Sequence, residues 1–191
     1  MELSELKEII DKALKRCQRK IEEQPTIVLS ESDFEKIVSW SIMKQLNQNN
    51  YKKHLSTDFT VHSQITHYKN GVIKHNRRPD ILLLTEEGLE NADNTPKGFI
   101  YKEDSFAIEL KYIRLGDNDY LKKISGDLNK RSEIYSKSWL YVVVLVESDK
   151  DEDYCNIKDE IKKKASKKRS YKKNLFCKVM KKQKVDYDKI V

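Results

Sequence analysis

Cysteine is scarce. The 191-residue chain has three, Cys17, Cys155 and Cys177, far apart and with no CxxC pair. An odd count argues against a disulfide framework, and a site needing four cysteines from one chain, iron–sulfur or zinc, is excluded. A reducing compartment, the cytoplasm, is the expected setting. Long hydrophobic runs are missing too. No apolar stretch approaches the roughly 18 residues that mark a membrane span, and charge begins at Glu2, so neither a span nor a signal peptide is expected. There is no internal repeat, and no biased tract beyond lysine enrichment over 162–184.

What is present is charge around an apolar middle. Of the residues, 38% are apolar and 36% charged, which suits one domain with a real core rather than disorder. The formal net charge is +7, unevenly spread: residues 161–191 carry +11, and the rest of the chain carries −4. Such a basic segment points to an acidic polymer as partner, or else to a solvated tail.

Periodicity orders the chain. Leu3, Leu6, Ile10, Ala13, Leu14, Cys17 and Ile21 have helical spacing, closed by Pro25. A second helix is predicted over 31–48, with a capping box from Ser32 to Glu35 and an apolar face of Phe34, Val38, Ile42 and Leu46. Strands follow: 58–68, a turn at "KNG", "VIKHNRRPDILLLT" and a strand centred on 105–113. Helical spacing returns over 119–137, then the apolar strand "SWLYVVVLVES". A helix between two apolar strands predicts a parallel crossover. Beyond about 154 a long helix is the most the pattern supports. The organisation read is an N-terminal helix (1–25), a core (26–150) and a basic C-terminal extension (151–191).

Two charged interruptions stand out. Asp80 opens an apolar strand in "RRPDILLL". In "SFAIELKYI", alternation puts Ala107, Glu109, Lys111 and Ile113 on one face and Phe106, Ile108, Leu110 and Tyr112 on the other. Three [DE]xK triplets occur, at Glu5, Glu109 and Glu160, but only the middle one interrupts an apolar strand. Read alone, Glu109 and Lys111 are a half-exposed ion pair. With Asp80 they form a set suited to phosphodiester hydrolysis. Two hard carboxylates hold Mg²⁺ or Mn²⁺, and a lysine steadies water or offsets phosphoryl charge.

Pro79-Asp80 followed by Glu109-Leu110-Lys111 resembles the signature of the PD-(D/E)XK, restriction-endonuclease-like nucleases, over about residues 30–148. The resemblance implies an α/β fold with a core of helix, three strands, helix and strand. It implies a metal-dependent deoxyribonuclease, endonuclease rather than exonuclease. Asp80 and Glu109 would be metal ligands and Lys111 the support for the nucleophile. A glutamate near the start of the first core helix also approaches the metal in many members; Glu35 fits best, with Glu31 as rival. Gln64 stands where some relatives carry a further glutamate. The stretch containing Asp127, Lys130 and Arg131 looks like a polar patch in some members. Arg77, Arg78, Lys130 and Arg131 are the expected nucleic-acid contacts; the alternatives are that Arg77 and Arg78 neutralise the nearby acids, and that Asp127, Lys130 and Arg131 buttress Lys111 or form solvent-exposed helix pairs. DNA is the expected partner, and a homodimer would supply two active sites for double-strand cutting. The alternatives are a non-catalytic DNA-binding or scaffold protein on the same fold, and a regulatory protein whose tail binds acidic proteins. His54, His62, His67 and His75 are read as surface or strand histidines. Trp40 and Trp139 are read as core, and Tyr101, Tyr112 and Tyr120 as packing residues.

Overall fold

Residues 139–147 read WLYVVVLVE, mostly β-branched and aromatic, with one charged residue, Glu147, at the very end and no alternation of polar side chains to mark a wet face. Such a strand needs cover on both sides. The computed structural model supplies it. The described residues are 3–48, 60–63, 79–84, 93–95, 98–100, 105–114, 116–117, 119–134, 139–169 and 174–184. In chain order they form α1 (Leu3–Glu23), a short 3₁₀ turn (Pro25–Ile27), α2 (Glu31–Gln48), β1 (Thr60–Ser63), β2 (Ile81–Leu84), β3 (Asp93–Thr95) and β4 (Gly98–Ile100). There follow β5 (Ser105–Ile113), α3 (Tyr120–Ile134), β6 (Trp139–Glu147), α4 (Asp151–Arg169) and β7 (Leu175–Lys182).

Five strands make one sheet in the order β1-β2-β5-β6-β7, while β3 and β4 pair separately. The β1–β2 and β2–β5 ladders are antiparallel. The β5–β6 and β6–β7 ladders are parallel, with α3 and α4 as their crossovers. The chain is therefore mixed α/β. The predicted parallel crossover is present, and the strand predicted around 105–113 is β5 itself.

The sheet separates two apolar layers. On one face Leu6, Ile10 and Leu14 of α1 and Phe34, Val38 and Ile42 of α2 pack on Phe106, Ile108, Leu110, Val143 and Leu145. On the other, Ile124 and Leu128 of α3 and Ile161 of α4 pack on Ala107, Val142, Val144 and Val146. The two-face alternation predicted for β5 is thus observed. Each fully buried large side chain contributes about 1.5–3 kcal/mol.

Local signals start the elements. Ser30 caps α2: its Oγ accepts from the Asp33 N–H (3.1 Å) and donates to Asp33 Oδ2 (2.8 Å). The predicted box of Ser32 and Glu35 is therefore displaced by two residues. The hydroxyl of Ser30, with the Leu29 N–H and Lys36, holds the Asp33 carboxyl below its ordinary value despite the opposing cost of burial. Gly116, at φ +93°, permits the turn between β5 and α3. Asp117 then accepts from Lys123 Nζ (2.7 Å) and from the Asp119 N–H (3.2 Å), tying down the first turn of α3.

Two expectations change. The segment read from its charge as an extension supplies α4 and β7, and β7 pairs with β6 from Leu175 to Lys182. Its lysines concealed it: LFCKVMKK lacks the apolar density of β6 because β7 is an edge strand, where lysine discourages further pairing. Trp40 is 39% exposed rather than core. Trp139 does pack, against Phe176 (5.3 Å) and Phe106 (6.1 Å between ring centroids). Among the described residues no helix is long and apolar enough to cross a membrane. All three cysteines are free, and burial pushes the Cys17 and Cys177 thiols up to about 12 and about 11, where they are poor nucleophiles.

Candidate active site

β2 pairs with β5 only from Leu84–Ser105 to Ile81–Ile108. Beyond Ile108, β5 continues for five residues with its β2-side edge open to other partners. Carboxylates take that place. Asp80, just before β2, accepts the Leu110 N–H at 2.6 Å. Glu31, the first residue of α2, accepts the Tyr112 N–H at 3.2 Å. These answer the cost of an aspartate at the mouth of a buried strand, because an amide that would otherwise lack a ladder partner is satisfied.

The same contacts gather the candidate residues. The β2–β5 ladder ends at Ile81–Ile108, so Asp80 and Glu109 are the next residues of their two segments at the same end of that ladder. The Asp80 carboxylate reaches the amide of Leu110, the residue between Glu109 and Lys111. Lys111 Nζ in turn donates to Glu31 Oε1 at 3.3 Å. Asp80, Glu109, Lys111 and Glu31 therefore converge around one short stretch of β5. The α2 acid seen on Lys111 is Glu31; Glu35 follows one turn later, half-buried. Its capping role is taken by Asp33.

Burial differs among them. Glu109 is 2% exposed, and Asp80 is half-buried. The Lys111 side chain is 21% exposed and that of Glu31 48%. Glu31 and Lys111 border a cleft of about 280 Å³ between α2 and α3, with Tyr112, Asp117, Tyr120 and Lys123. Asp80 and Glu109 do not line it. Among the described residues no three His, Cys, Asp or Glu side chains form a ready-made metal cluster.

A second polar group lies on the α1/α2 face of the sheet, at the ends of the parallel strands. Lys182 Nζ, fully buried, donates to the Tyr112 hydroxyl (2.8 Å) and sits 3.4 Å from Glu147 Oε2. The Tyr112 hydroxyl donates to the same Glu147 carboxylate. Burial lowers the Lys182 ammonium below its ordinary value, against the upward pull of Glu147. This trio joins β5, β6 and β7 one residue beyond Lys111. Sequence reading missed it, because Glu147 and Lys182 meet only once β7 lies beside β6. Tyr112 thus packs, as expected. The Tyr120 hydroxyl donates to Glu160, and burial together with that acid lifts the phenol to about 12.

The other expected residues fall elsewhere. Arg77, Arg78, Gln64, Tyr101, His54, His67 and His75 lie outside the described residues, and His62 is placed only as a β1 backbone position. Asp127, Lys130 and Arg131 lie on α3. Compared with protein-family models, curated proteins and solved structures, the chain matches none.

Proposed function

We propose that this chain is a metal-dependent nuclease that hydrolyses phosphodiester bonds in DNA, with a restriction-endonuclease-like core. The observation that carries the reading is the Asp80 carboxylate bound to the amide between Glu109 and Lys111. It brings the two strands of the PD…ExK pattern to one place. The order α2, β1, β2, β5, α3, β6 is compatible with that core.

The donor set suits Mg²⁺ or Mn²⁺. Asp80 and Glu109 offer hard oxygens, and Mg²⁺ commonly takes only one or two carboxylates while keeping several waters. When bound, such an ion supplies charge stabilisation at phosphoryl oxygens and a water of lowered pKa. The chain's own groups do the rest. Lys111 presents an ammonium at the cleft, where it orients water or offsets negative charge on the phosphate. Glu31 holds that ammonium from α2 and, through the Tyr112 amide, fixes the end of β5. Arg77, Arg78, Lys130 and Arg131 remain the proposed backbone contacts, and a dimer the proposed unit for double-strand cutting.

One observation favours the alternative, DNA binding without chemistry: Glu109 is 2% exposed and does not line the cleft. A panel of linear, circular, branched and single-stranded DNA with Mg²⁺, Mn²⁺ or EDTA separates the two. Cleavage is expected with metal and absent with EDTA. Lys111→Ala should slow it by about 10²–10³-fold, the usual loss for one electrostatic contact to a transition state. Asp80→Asn should abolish it while keeping an oxygen to accept the Leu110 N–H. Binding of every substrate without cleavage in any metal would leave the alternative standing.

A further inference from the structure

Five cations on α1 recur at intervals of three and four: Lys12, Lys15, Arg16, Arg19 and Lys20. That spacing aligns them along one side of the helix, over about 12 Å at 1.5 Å per residue. With Gln45 of α2 and a single acid, Glu23, they line an open groove of about 550 Å³. The local charge is invisible in composition, because α1 also contains Glu5, Glu8, Asp11 and Glu22. Acids occupy its first half and its end; the cations hold the stretch between.

Two further features set this groove apart from an ordinary solvated face. Lys12–Arg16, Lys15–Arg19 and Arg16–Lys20 are like-charged (i, i+4) pairs, an arrangement that works against the helix. Beside them α2 exposes Trp40 and Met43, at 39% and 44%. Arg16, Lys20 and Lys44 stand over the indole at 5.9, 3.9 and 4.9 Å from its centroid. A cation row with a shared, accessible aromatic ring is the combination that tracks a phosphate backbone and offers a stacking surface.

We propose that the α1–α2 groove is a binding site for the DNA backbone, engaging successive phosphates through Lys12, Arg16, Arg19 and Lys20, with Trp40 at its rim. The proposal rests on DNA as the partner and not on hydrolysis. It also gives α2 a spacing role. From Glu31 at the candidate active site to Trp40 is about 14 Å along the helix, roughly four base-pair steps along a duplex axis at 3.4 Å each. One DNA molecule is long enough to meet both.

The test is fluorescence anisotropy of a labelled mixed-sequence oligonucleotide, as single strand and as duplex, in EDTA, over a range of salt. The variant Lys12→Gln/Arg16→Gln/Arg19→Gln/Lys20→Gln keeps good helix formers, and its melting temperature should stay close to that of the parent, relief of like-charge repulsion offsetting the lost contacts of Arg16 and Lys20 with Trp40. DNA affinity should fall at least about tenfold, and the slope of log K against log salt should become shallower by about three. A matched variant away from both the groove and the basic 161–191 segment, Lys36→Gln/Lys122→Gln/Lys150→Gln/Lys158→Gln, controls for net charge and should lose much less. DNA-induced quenching of tryptophan emission should vanish in Trp40→Phe. Parent-like binding by the α1 variant, an equal loss in the control variant, or binding to anionic vesicles but not DNA would each overturn the site. Lost affinity in a protein that never cleaves would retain the groove and reject the nuclease. Asp80-dependent cleavage with parent-like binding by the α1 variant would do the reverse.

Discussion

Lys182 has the least forgiving position of any charged side chain described. Its Nζ has no exposure, and its partners Tyr112 and Glu147 come from two other strands. A buried ion pair adds little over apolar packing, but breaking one strands a charge. Lys182→Ala should therefore cost about 3–5 kcal/mol in urea denaturation, whereas Lys182→Met with Glu147→Leu should cost far less. A small loss in the single variant would show that Glu147 is not held as a charged group. Neither residue was legible as a pair: they are 35 positions apart, and each looks like an ordinary polar end of its strand.

At the scale of elements, the end of β5 explains why Asp80 and Glu31 are acids. Both substitute for strand ladder partners while approaching Glu109 and Lys111. Asp80 is therefore structural as well as a candidate ligand. Asp80→Ala should lower stability by about 1–3 kcal/mol, because the Leu110 N–H loses its acceptor. Asp80→Asn should stay close to the parent. Equal stability of all three in thermal melts would mean that water replaces the carboxylate without cost. The alternation of β5 and the apolar run of β6 were readable because both obey a period of two or none. The capping box was placed two residues late because Ser30–Asp33 and Ser32–Glu35 have the same spacing, and only the backbone distinguishes them.

The whole molecule depends on its basic C-terminal segment, residues 151–191. β7 covers one edge of β6, and Leu175, Val179 and Met180 bury completely or nearly so. Tyr154 of α4 donates to the Val179 carbonyl at 3.2 Å, binding helix to strand. At the opposite end of the chain, Tyr141 on β6 donates to Asp11 of α1 at 2.7 Å. A chain truncated after residue 173 should lose cooperative unfolding and expose the β6 ladder. Circular dichroism melts would detect this, and a parent-like transition would show β7 to be dispensable.

Several features were already present in the order of residues: the amphipathic helices, the two-face alternation of β5 and the apolar run of β6. Each is set by neighbours within a few turns or strand steps, so periodicity suffices. Only the tertiary structure decided that a lysine-rich segment closes the sheet, that Glu31 meets Lys111, and that the cations of α1 share a groove with Trp40. These juxtapositions depend on which elements pack side by side. Long-range burial and pairing settle that, and composition averages it away.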